Sequence, residues 1–303
     1  MRGRASSEGF SDTEVKSWVK LTVKTSPEAS DAISDLLFKL GAEGIELKET
    51  DSISLLIAYY PADDLVGERI FKIRDFFGKL RESGLDPSPA SIELDEIEDE
   101  NWLESWKAGF KPIRIGNRLI VSPTWCDPEL KEGDILVRID PSMAFGTGQH
   151  PTTRFSLELL ERAVFKGATV LDVGTGSGIL SIAAVKLGAR KVTAVDIDHT
   201  VIPIARRNAE MNGVADKIEL LAGDITAVPP VRKFDVVVAN ILTKIIVPML
   251  PDIKARLKPG GEAILSGILV SEEEEVIEEC AKIGFKHVDS ISDEMWTAVR
   301  VRG

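Results

Sequence analysis

The sequence predicts an α/β protein in which a doubly wound parallel sheet follows a small α+β unit. In the second half of the chain, short apolar runs alternate with amphipathic segments, a pattern typical of βα units in a parallel sheet. The chain ends in two strand-like runs joined by a few residues, and so short a link requires an antiparallel pair. The first hundred or so residues instead follow the order strand, helix, strand, strand, helix, strand, which is typical of split ferredoxin-like units.

The amino-terminal unit is predicted from its alternation and its helix ends. Trp18, Leu21 and Val23 alternate with lysine and threonine, as in a half-buried strand. Pro27 suits the first turn of a helix, and Gly41 suits the position just after its end. The expected elements are a strand near 18–24, a helix over 27–40, strands 44–48 and 53–60, a helix over 66–80 and a strand near 91–94. We predict a ferredoxin-like domain over residues 1–95 and a linker over 96–130.

Residues 131–303 are predicted to form the second domain. One strand is expected before it, at 119–121. Within it, strands are expected at 135–139, 169–173, 191–195, 218–221, 234–239 and 262–266, and helices at 152–164, 178–187, 199–212, 243–257 and 272–283. Pro259-Gly260-Gly261 is predicted to separate helix from strand, and Ser271 with Glu274 to form a capping box. The closing hairpin, 286–290 with 296–301, favours the methyltransferase version of this Rossmann-like fold over the dehydrogenase version.

Composition and charge limit the partners of the chain. It has 37 Lys and Arg against 49 Asp and Glu, a formal net charge of −12. Binding nucleic acid through phosphate contacts requires excess basic side chains, so no direct nucleic-acid binding is expected. Only Cys126 and Cys280 occur, and no apolar run approaches the ~20 residues of a membrane helix. The amino terminus has no signal-peptide pattern, and we expect a cytoplasmic protein without membrane contact or a metal site.

A glycine-rich loop follows the strand expected at 169–173. Its sequence from Asp172 reads Asp-Val-Gly-Thr-Gly-Ser-Gly, with glycines at Gly174, Gly176 and Gly178. Glycine lets the backbone turn sharply and approach a ligand, while the next helix offers free N–H groups to an anion. The spacing Gly-x-Gly-x-Gly differs from the Gly-x-Gly-x-x-Gly of most dinucleotide loops. These residues predict a cofactor loop, and a connector without a ligand is the alternative.

Acidic residues end the next two expected strands. Asp196 lies about twenty residues beyond the loop, where a carboxylate can receive the two ribose hydroxyls of an adenosine-bearing cofactor. Asp224 follows the third strand and can accept a hydrogen bond from an adenine amino group. Either acid alone could be a helix cap. Together with the glycine loop they predict an adenosine-type cofactor. With the methyltransferase version of the fold, we expect this to be S-adenosyl-L-methionine, with its carboxylate at the loop.

Asn240 ends the fourth strand of the parallel set. An amide beside the cofactor suits a nitrogen nucleophile, because its oxygen can accept an N–H bond and aim the lone pair. The competing interpretation is a turn residue that caps the following helix. We interpret Asn240 as the catalytic residue and as a cofactor contact. A nicotinamide oxidoreductase is the alternative from another class, disfavoured by the loop spacing, the terminal hairpin and the absence of an obvious hydride-transfer partner.

The stretch 140–153 has an unusual run of residue types, Asp-Pro-Ser-Met-Ala-Phe-Gly-Thr-Gly-Gln-His-Pro-Thr-Thr. It resembles the signature of the ribosomal protein L11 methyltransferase family. The resemblance continues through Trp-Leu-Glu-Ser-Trp-Lys at 102–107, Phe-Lys-Pro-Ile at 110–113, the loop and helix at 172–182, Asn-Ile-Leu at 240–242 and Leu-Ser-Gly-Ile-Leu at 265–269. It covers residues 100–303 closely, and the amino-terminal unit has a similar layout.

The resemblance implies an enzyme that methylates lysine or N-terminal amines of ribosomal protein L11, using S-adenosyl-L-methionine. It implies an amino-terminal domain that grips this protein, a linker and a catalytic domain. Thr153, Gly174, Asp196 and Asn240 match family positions that bind the cofactor, and Asn240 also faces the amine. Phe145 is assigned to the substrate by the same resemblance. We expect the enzyme to act as a monomer.

Two residues depart from the family pattern. Gln149 stands where threonine is common, and Thr243 where alanine is frequent. Both substitutions bear on how the target amine is held. Another protein amine or an RNA base remains an alternative substrate, and a binding module without catalysis a further alternative. Asn-Ile-Leu-Thr at 240–243 lacks the proline pair and aromatic residue that many base-methylating enzymes have there, which disfavours RNA.

Overall fold

The computed structural model describes residues 18–42, 44–50, 52–61, 65–97, 110–140 and 148–303. The strands in these ranges are β1 (Trp18–Thr25), β2 (Gly44–Thr50), β3 (Ile53–Pro61), β4 (Ser91–Ile97), β5 (Ile113–Ile115), β6 (Leu119–Pro123), β7 (Ile135–Ile139), β8 (Thr169–Val173), β9 (Lys191–Asp196), β10 (Ile218–Ala222), β11 (Phe234–Asn240), β12 (Leu257–Leu269), β13 (Lys286–Ser292) and β14 (Trp296–Arg302). The longer helices are α1 (Pro27–Lys39), α2 (Val66–Glu82), α3 (Pro151–Ala163), α4 (Ile179–Leu187), α5 (Val201–Met211), α6 (Thr243–Arg256) and α7 (Glu273–Lys282).

The amino-terminal unit is a four-stranded antiparallel sheet in the order β2-β3-β1-β4. Apolar side chains of α1 and α2, including Ile33 and Ile73, form one core with Leu21 of β1. The ferredoxin-like arrangement predicted from the element order is therefore confirmed. β1 is more buried than a half-buried strand because it lies between β3 and β4, and its Lys20 pairs with Asp95 of β4 at 3.0 Å.

The second unit is built on a seven-stranded sheet in the order β10-β9-β8-β11-β12-β14-β13. Strands β8 to β12 pair in parallel, whereas β14 pairs antiparallel with both β12 and β13. Val170 packs in an apolar cluster with α3 and α4, and its neighbour Leu171 packs in a second cluster with α6 and α7. Helices thus cover both faces, which confirms the doubly wound sheet with an antiparallel terminal hairpin.

The structure corrects the expected boundary at Pro259-Gly260-Gly261. β12 begins at Leu257 rather than at residue 262, because Leu257 already pairs with Phe234 of β11. The pairing register then shifts, and Glu262 pairs with Val236. The glycines therefore lie inside an irregular strand start, which a pattern search takes for a break.

A short sheet and a helix start also differ from the sequence-based prediction. β5 was not predicted, because three residues are too few to show a period of two; it pairs with β6, which pairs in parallel with β7. The predicted capping box of Ser271 and Glu274 is wrong, since no side chain of the described residues caps α7. Glu272, the residue after Ser271, instead accepts the N–H of Leu269 at 3.3 Å.

The parallel strands bring the sequence-predicted residues to one edge of the sheet. The glycine loop follows β8, Asp196 ends β9, Asp224 follows β10 and Asn240 ends β11. We call this carboxyl-terminal edge the cofactor edge. In the described ranges no helix is long and apolar enough to cross a membrane. The same residues hold no group of three or more His, Cys, Asp or Glu side chains that could bind a metal ion.

Candidate active site

The glycine loop is a tight turn locked against its neighbours. Gly174 and Gly178 have φ values of +75° and +82°, a region that favours glycine. A Cβ on Gly178 would lie 3.2 Å from the Ala205 backbone of α5, and one on Gly174 would lie 2.6 Å from the Ile241 side chain. The loop therefore packs against the turn that follows β11 and against α5. A larger residue at Gly174 would push against that turn, and a larger residue at Gly178 would push against α5.

Asp172 lies beneath this loop and is fully buried. Its Oδ2 accepts hydrogen bonds from the hydroxyls of Thr175 and Ser181, both at 2.7 Å, whereas Oδ1 is buried and has no donor among the described residues. Burial raises the pKa of Asp172 to about 6, against the lowering effect of these two hydroxyls, and the charge of Asp196 raises it further. A buried carboxylate oxygen without a donor fits the ammonium group of a bound S-adenosylmethionine.

Replacing Asp172 with asparagine is expected to stabilise the protein without cofactor. The pKa of Asp172 in the folded state lies about two units above its usual value near 4. Its contribution to the free energy of unfolding is therefore fully present below about pH 4 and is lost as the pH rises through about 6. Two pKa units correspond to about 3 kcal/mol, which is the upper limit for the increase in the free energy of unfolding of Asp172→Asn near pH 7.5. Urea unfolding of both proteins at about pH 4.5 and 7.5 measures this increase.

The control for this prediction is Asp224→Asn, which changes an exposed acid whose pKa is lowered by its hydrogen bonds with Thr226. It should bring no such gain near pH 7.5. An Asp172→Asn protein that is less stable than the wild type near pH 7.5 would mean that the buried charge carries no net cost.

Asp196 is held at the end of β9 by two backbone donors. Its Oδ2 accepts the N–H of Gly176 and its Oδ1 accepts the N–H of Asp198, both at 2.9 Å. Burial raises the pKa of this half-buried carboxyl, the two N–H groups lower it, and the charges of Asp198 and Asp35 raise it. The carboxylate is thus fixed in direction, and each oxygen retains a lone pair for a ribose hydroxyl.

Asp224 has a local structural role at the neighbouring strand end. Its Oδ1 accepts the N–H of Thr226 at 2.8 Å and the Thr226 hydroxyl at 2.5 Å, which caps the short 3-10 helix Ile225–Ala227. The N–H of Gly223 donates to the carbonyl of Asp196 at 2.7 Å and brings the two strand ends together. The cap uses only Oδ1 of Asp224. A contact between the other oxygen, Oδ2, and the adenine amino group stays a prediction.

Asn240 and Thr153 meet at the opposite side of the cofactor edge. The Nδ2 of Asn240 donates to the hydroxyl of Thr153, in the first turn of α3, at 3.4 Å. The hydroxyl of Ser266 in β12 donates to the carbonyl of Thr152 at 3.0 Å and fastens the same helix start. No residue of the described ranges donates to the Asn240 side-chain oxygen, so the amide can accept one N–H bond.

The structure bears differently on the two predictions made for Phe145 and Gln149 in the 140–153 stretch. Phe145, predicted for the substrate, lies outside the described residues. Gln149 is half-buried and lines a small cavity with Val121 and Ile139. The family departure at this position therefore faces the three-stranded sheet.

Sequence reasoning missed residues through which the amino-terminal unit contacts this edge. Lys39 of α1 pairs with Asp198 at 3.0 Å, two residues beyond Asp196. Burial opposes ionisation of Asp198, but hydrogen bonds from Thr200 and Lys39 outweigh it and lower its pKa to about 2. His150, buried before α3, has its Nε2 at 3.7 Å from carboxylate oxygens of both Asp31 and Glu49. The sequence did contain a local signal for His150, because the residue before Pro151 can cap a helix. Nothing in the sequence signalled the contacts between the two units.

The order of the seven strands, with an antiparallel hairpin at one edge of the sheet and a glycine loop after β8, places the protein in class I of the S-adenosylmethionine-dependent methyltransferases. The family model of the ribosomal protein L11 methyltransferases matches residues 17–303. The chain belongs to this family, and the nicotinamide oxidoreductase is no longer an alternative.

Individual relatives agree with the family match. A ribosomal protein L11 methyltransferase of Geobacter metallireducens is 38% identical over 94% of this chain and 97% of its own length. One from Alkaliphilus oremlandii is 34% identical over 94% of this chain and 99% of its own length. The ribosomal protein L11 methylase from Lactobacillus delbrueckii subsp. bulgaricus, known from a crystal structure, is 35% identical in sequence. Its structure matches with a TM-score of 0.59 over 63% of this chain and 98% of its own.

Proposed function

We propose that this enzyme transfers methyl groups to amino groups of ribosomal protein L11, at lysine side chains, the N-terminus or both. The observation that carries the proposal is the Asn240 amide, which commits its nitrogen to Thr153 and leaves its oxygen to accept an N–H at the cofactor edge. The names of the relatives supply the protein substrate, and the acceptor chemistry of Asn240 agrees with an amine.

Three groups of this chain are proposed to hold the cofactor. The Asp172 carboxylate binds the ammonium, and Asp196 receives the ribose hydroxyls. Gly174, Gly176 and Gly178 let the methionine part approach the loop backbone, while their own N–H groups donate to Val195, Asp196 and Thr175. Asp224 and Thr153 complete the proposed set, at the adenine and beside Asn240. When bound, S-adenosylmethionine supplies an electrophilic methyl group on a positively charged sulfur.

The reaction requires a neutral amine at the acceptor position. A lysine amine has an ordinary pKa near 10.4, and burial at the cofactor edge disfavours the ammonium form. Asn240 then accepts an N–H bond from the amine and aims its lone pair. No separate strong base is needed in this scheme, because the lowered pKa of the buried amine releases its proton to water.

We propose that residues 1–95 grip the ribosomal protein, that 96–130 connect the units and that 131–303 carry out catalysis. The contacts of Lys39 and His150 support the gripping role, because α1 and β2 lie beside the cofactor edge, where the target amine must arrive. We further propose a cytoplasmic monomer that does not bind RNA directly, consistent with the net charge of −12.

Incubation with labelled S-adenosylmethionine tests the proposed substrate. Purified L11, ribosomal proteins depleted of L11, and ribosomal RNA are offered separately, and the products are analysed by mass. We expect label in L11 alone, in increments of one methyl group, on lysine or the N-terminal amine. Label mainly in RNA or in the depleted proteins would support the alternative substrates, and absence of transfer to all three would contradict the proposal.

A further inference from the structure

A partly buried hydrogen bond joins the turns that follow β11 and β12. Thr243, the first residue of α6, is buried and donates its hydroxyl to Oε2 of Glu272 at 2.5 Å. The same oxygen accepts the N–H of Leu269 at the end of β12. One carboxylate oxygen therefore connects the start of α6 to the end of β12.

Neither partner was expected from the family resemblance or from helix-capping rules. Thr243 is the departure noted above, and an alanine there has no hydroxyl to donate. Glu272 is the residue that takes the place of the predicted capping box at the start of α7. The proposed cofactor groups do not use this contact.

The residues between Asn240 and Thr243 form a turn that we call the acceptor turn. Its near end is held by the N–H of Ile241, which donates to the carbonyl of Ser266 at 3.0 Å. Gly267, at φ +84°, lets the strands approach so closely that a Cβ there would lie 2.5 Å from the Ile241 carbonyl oxygen. The bond from Thr243 to Glu272 secures the far end.

We propose that Thr243 and Glu272 are positioning residues for methyl transfer. Their bond fixes the far end of the acceptor turn, so that the Asn240 amide keeps its direction toward the incoming amine. They act through the turn and do not touch the substrate. This inference rests on the proposed function, because it uses the role proposed there for Asn240.

The position of the bond predicts which kinetic constant changes. Asp172 and Asp196, proposed to bind the cofactor, lie on β8 and β9, while the bond joins elements after β11 and β12. Because Ile241 of the acceptor turn packs against Gly174, some loss of affinity for S-adenosylhomocysteine is expected, but loosening the turn should lower kcat for the amine much more. Because small misplacements of a reacting group cost up to about 100-fold, we expect about a tenfold loss of kcat.

The central test compares Thr243→Val with Thr243→Ser. Valine has nearly the same shape as threonine without the hydroxyl, and serine keeps the hydroxyl. We expect Thr243→Val to lose about tenfold in kcat with L11 and Thr243→Ser to retain most of it, while calorimetry gives a much smaller change in the Kd for S-adenosylhomocysteine. A kcat within twofold of the wild type for Thr243→Val would overturn the inference.

Glu272→Gln separates the hydrogen bond from the charge. Glutamine keeps an oxygen that can accept from Thr243 and from the Leu269 N–H, so kcat should stay near that of the wild type. Loss of kcat in Glu272→Gln as large as in Glu272→Ala would mean that the negative charge acts directly, and the positioning role would be wrong. The double variant Thr243→Val with Glu272→Ala should lose no more than Glu272→Ala alone.

Thr169→Val is the matched control. It removes another bond from a threonine hydroxyl to a carboxylate, at 2.8 Å to Asp235, at the start of β8 and thus at the opposite edge of the sheet. The stability of Thr169→Val should fall without a change in kcat. A loss of kcat equal to that of Thr243→Val would mean that losing any such bond lowers turnover, and the inference would be overturned. A wild-type enzyme that does not methylate L11 would overturn the proposed function, and this inference with it.

Discussion

Replacing Asp196 with alanine is expected to weaken the binding of S-adenosylhomocysteine about 100-fold. The carboxylate is aimed by the N–H groups of Gly176 and Asp198, and it can accept from two ribose hydroxyls at once. Hydrogen bonds to a charged group contribute about 1.5–3 kcal/mol each, and 100-fold corresponds to about 2.7 kcal/mol. Isothermal titration calorimetry measures the change directly, without a methyl acceptor.

The stability of Asp196→Ala distinguishes loss of a contact from loss of the fold. Burial raises the pKa of Asp196, so the folded protein gains little from this charge, and thermal unfolding should stay close to that of the wild type. Asp216→Ala, which removes an exposed acid before β10, serves as the control and should bind normally. An Asp196→Ala protein that binds S-adenosylhomocysteine within threefold of the wild type would exclude the proposed ribose contact.

The parts of the fold that could be predicted from sequence are those with a strong local pattern. β8 was predicted with both ends right, because it is a short, mostly apolar run that the glycine loop ends abruptly. β5 was missed because it has three residues and one exposed side, and β12 was shortened because its glycines lie within the strand. Length and local irregularity decided these outcomes.

The candidate site was predictable as far as it depends on strand ends. Parallel topology brings residues at the carboxyl ends of successive strands to one edge, so Asp196 and Asn240 could be placed near the glycine loop before any coordinates. Contacts such as those of Lys39 with Asp198 and of Thr243 with Glu272 join residues 159 and 29 positions apart. No periodicity relates such residues, and they emerge only from packing.

Replacing Asn240 with alanine is expected to lower kcat by about 100-fold or more, the largest change in turnover proposed for this enzyme. The variant removes the acceptor for the amine N–H and the donor to Thr153, so the nucleophile loses its aim while the cofactor keeps its contacts at β8 and β9. Steady-state kinetics with L11 and calorimetry with S-adenosylhomocysteine measure the two effects separately, and we expect the affinity to fall less than tenfold.

Two further variants show which half of the Asn240 amide is responsible. Thr153→Val keeps the Asn240 oxygen but removes the hydroxyl that anchors its nitrogen, so kcat should fall by an intermediate factor of about ten. Asn240→Asp keeps an oxygen at the same place but cannot donate to Thr153, and its added charge favours the unreactive ammonium form of the amine. Its deficit in kcat should therefore shrink as the pH rises. A pH-independent deficit would point to geometry alone, and near-normal turnover of Asn240→Ala would remove this residue from the mechanism.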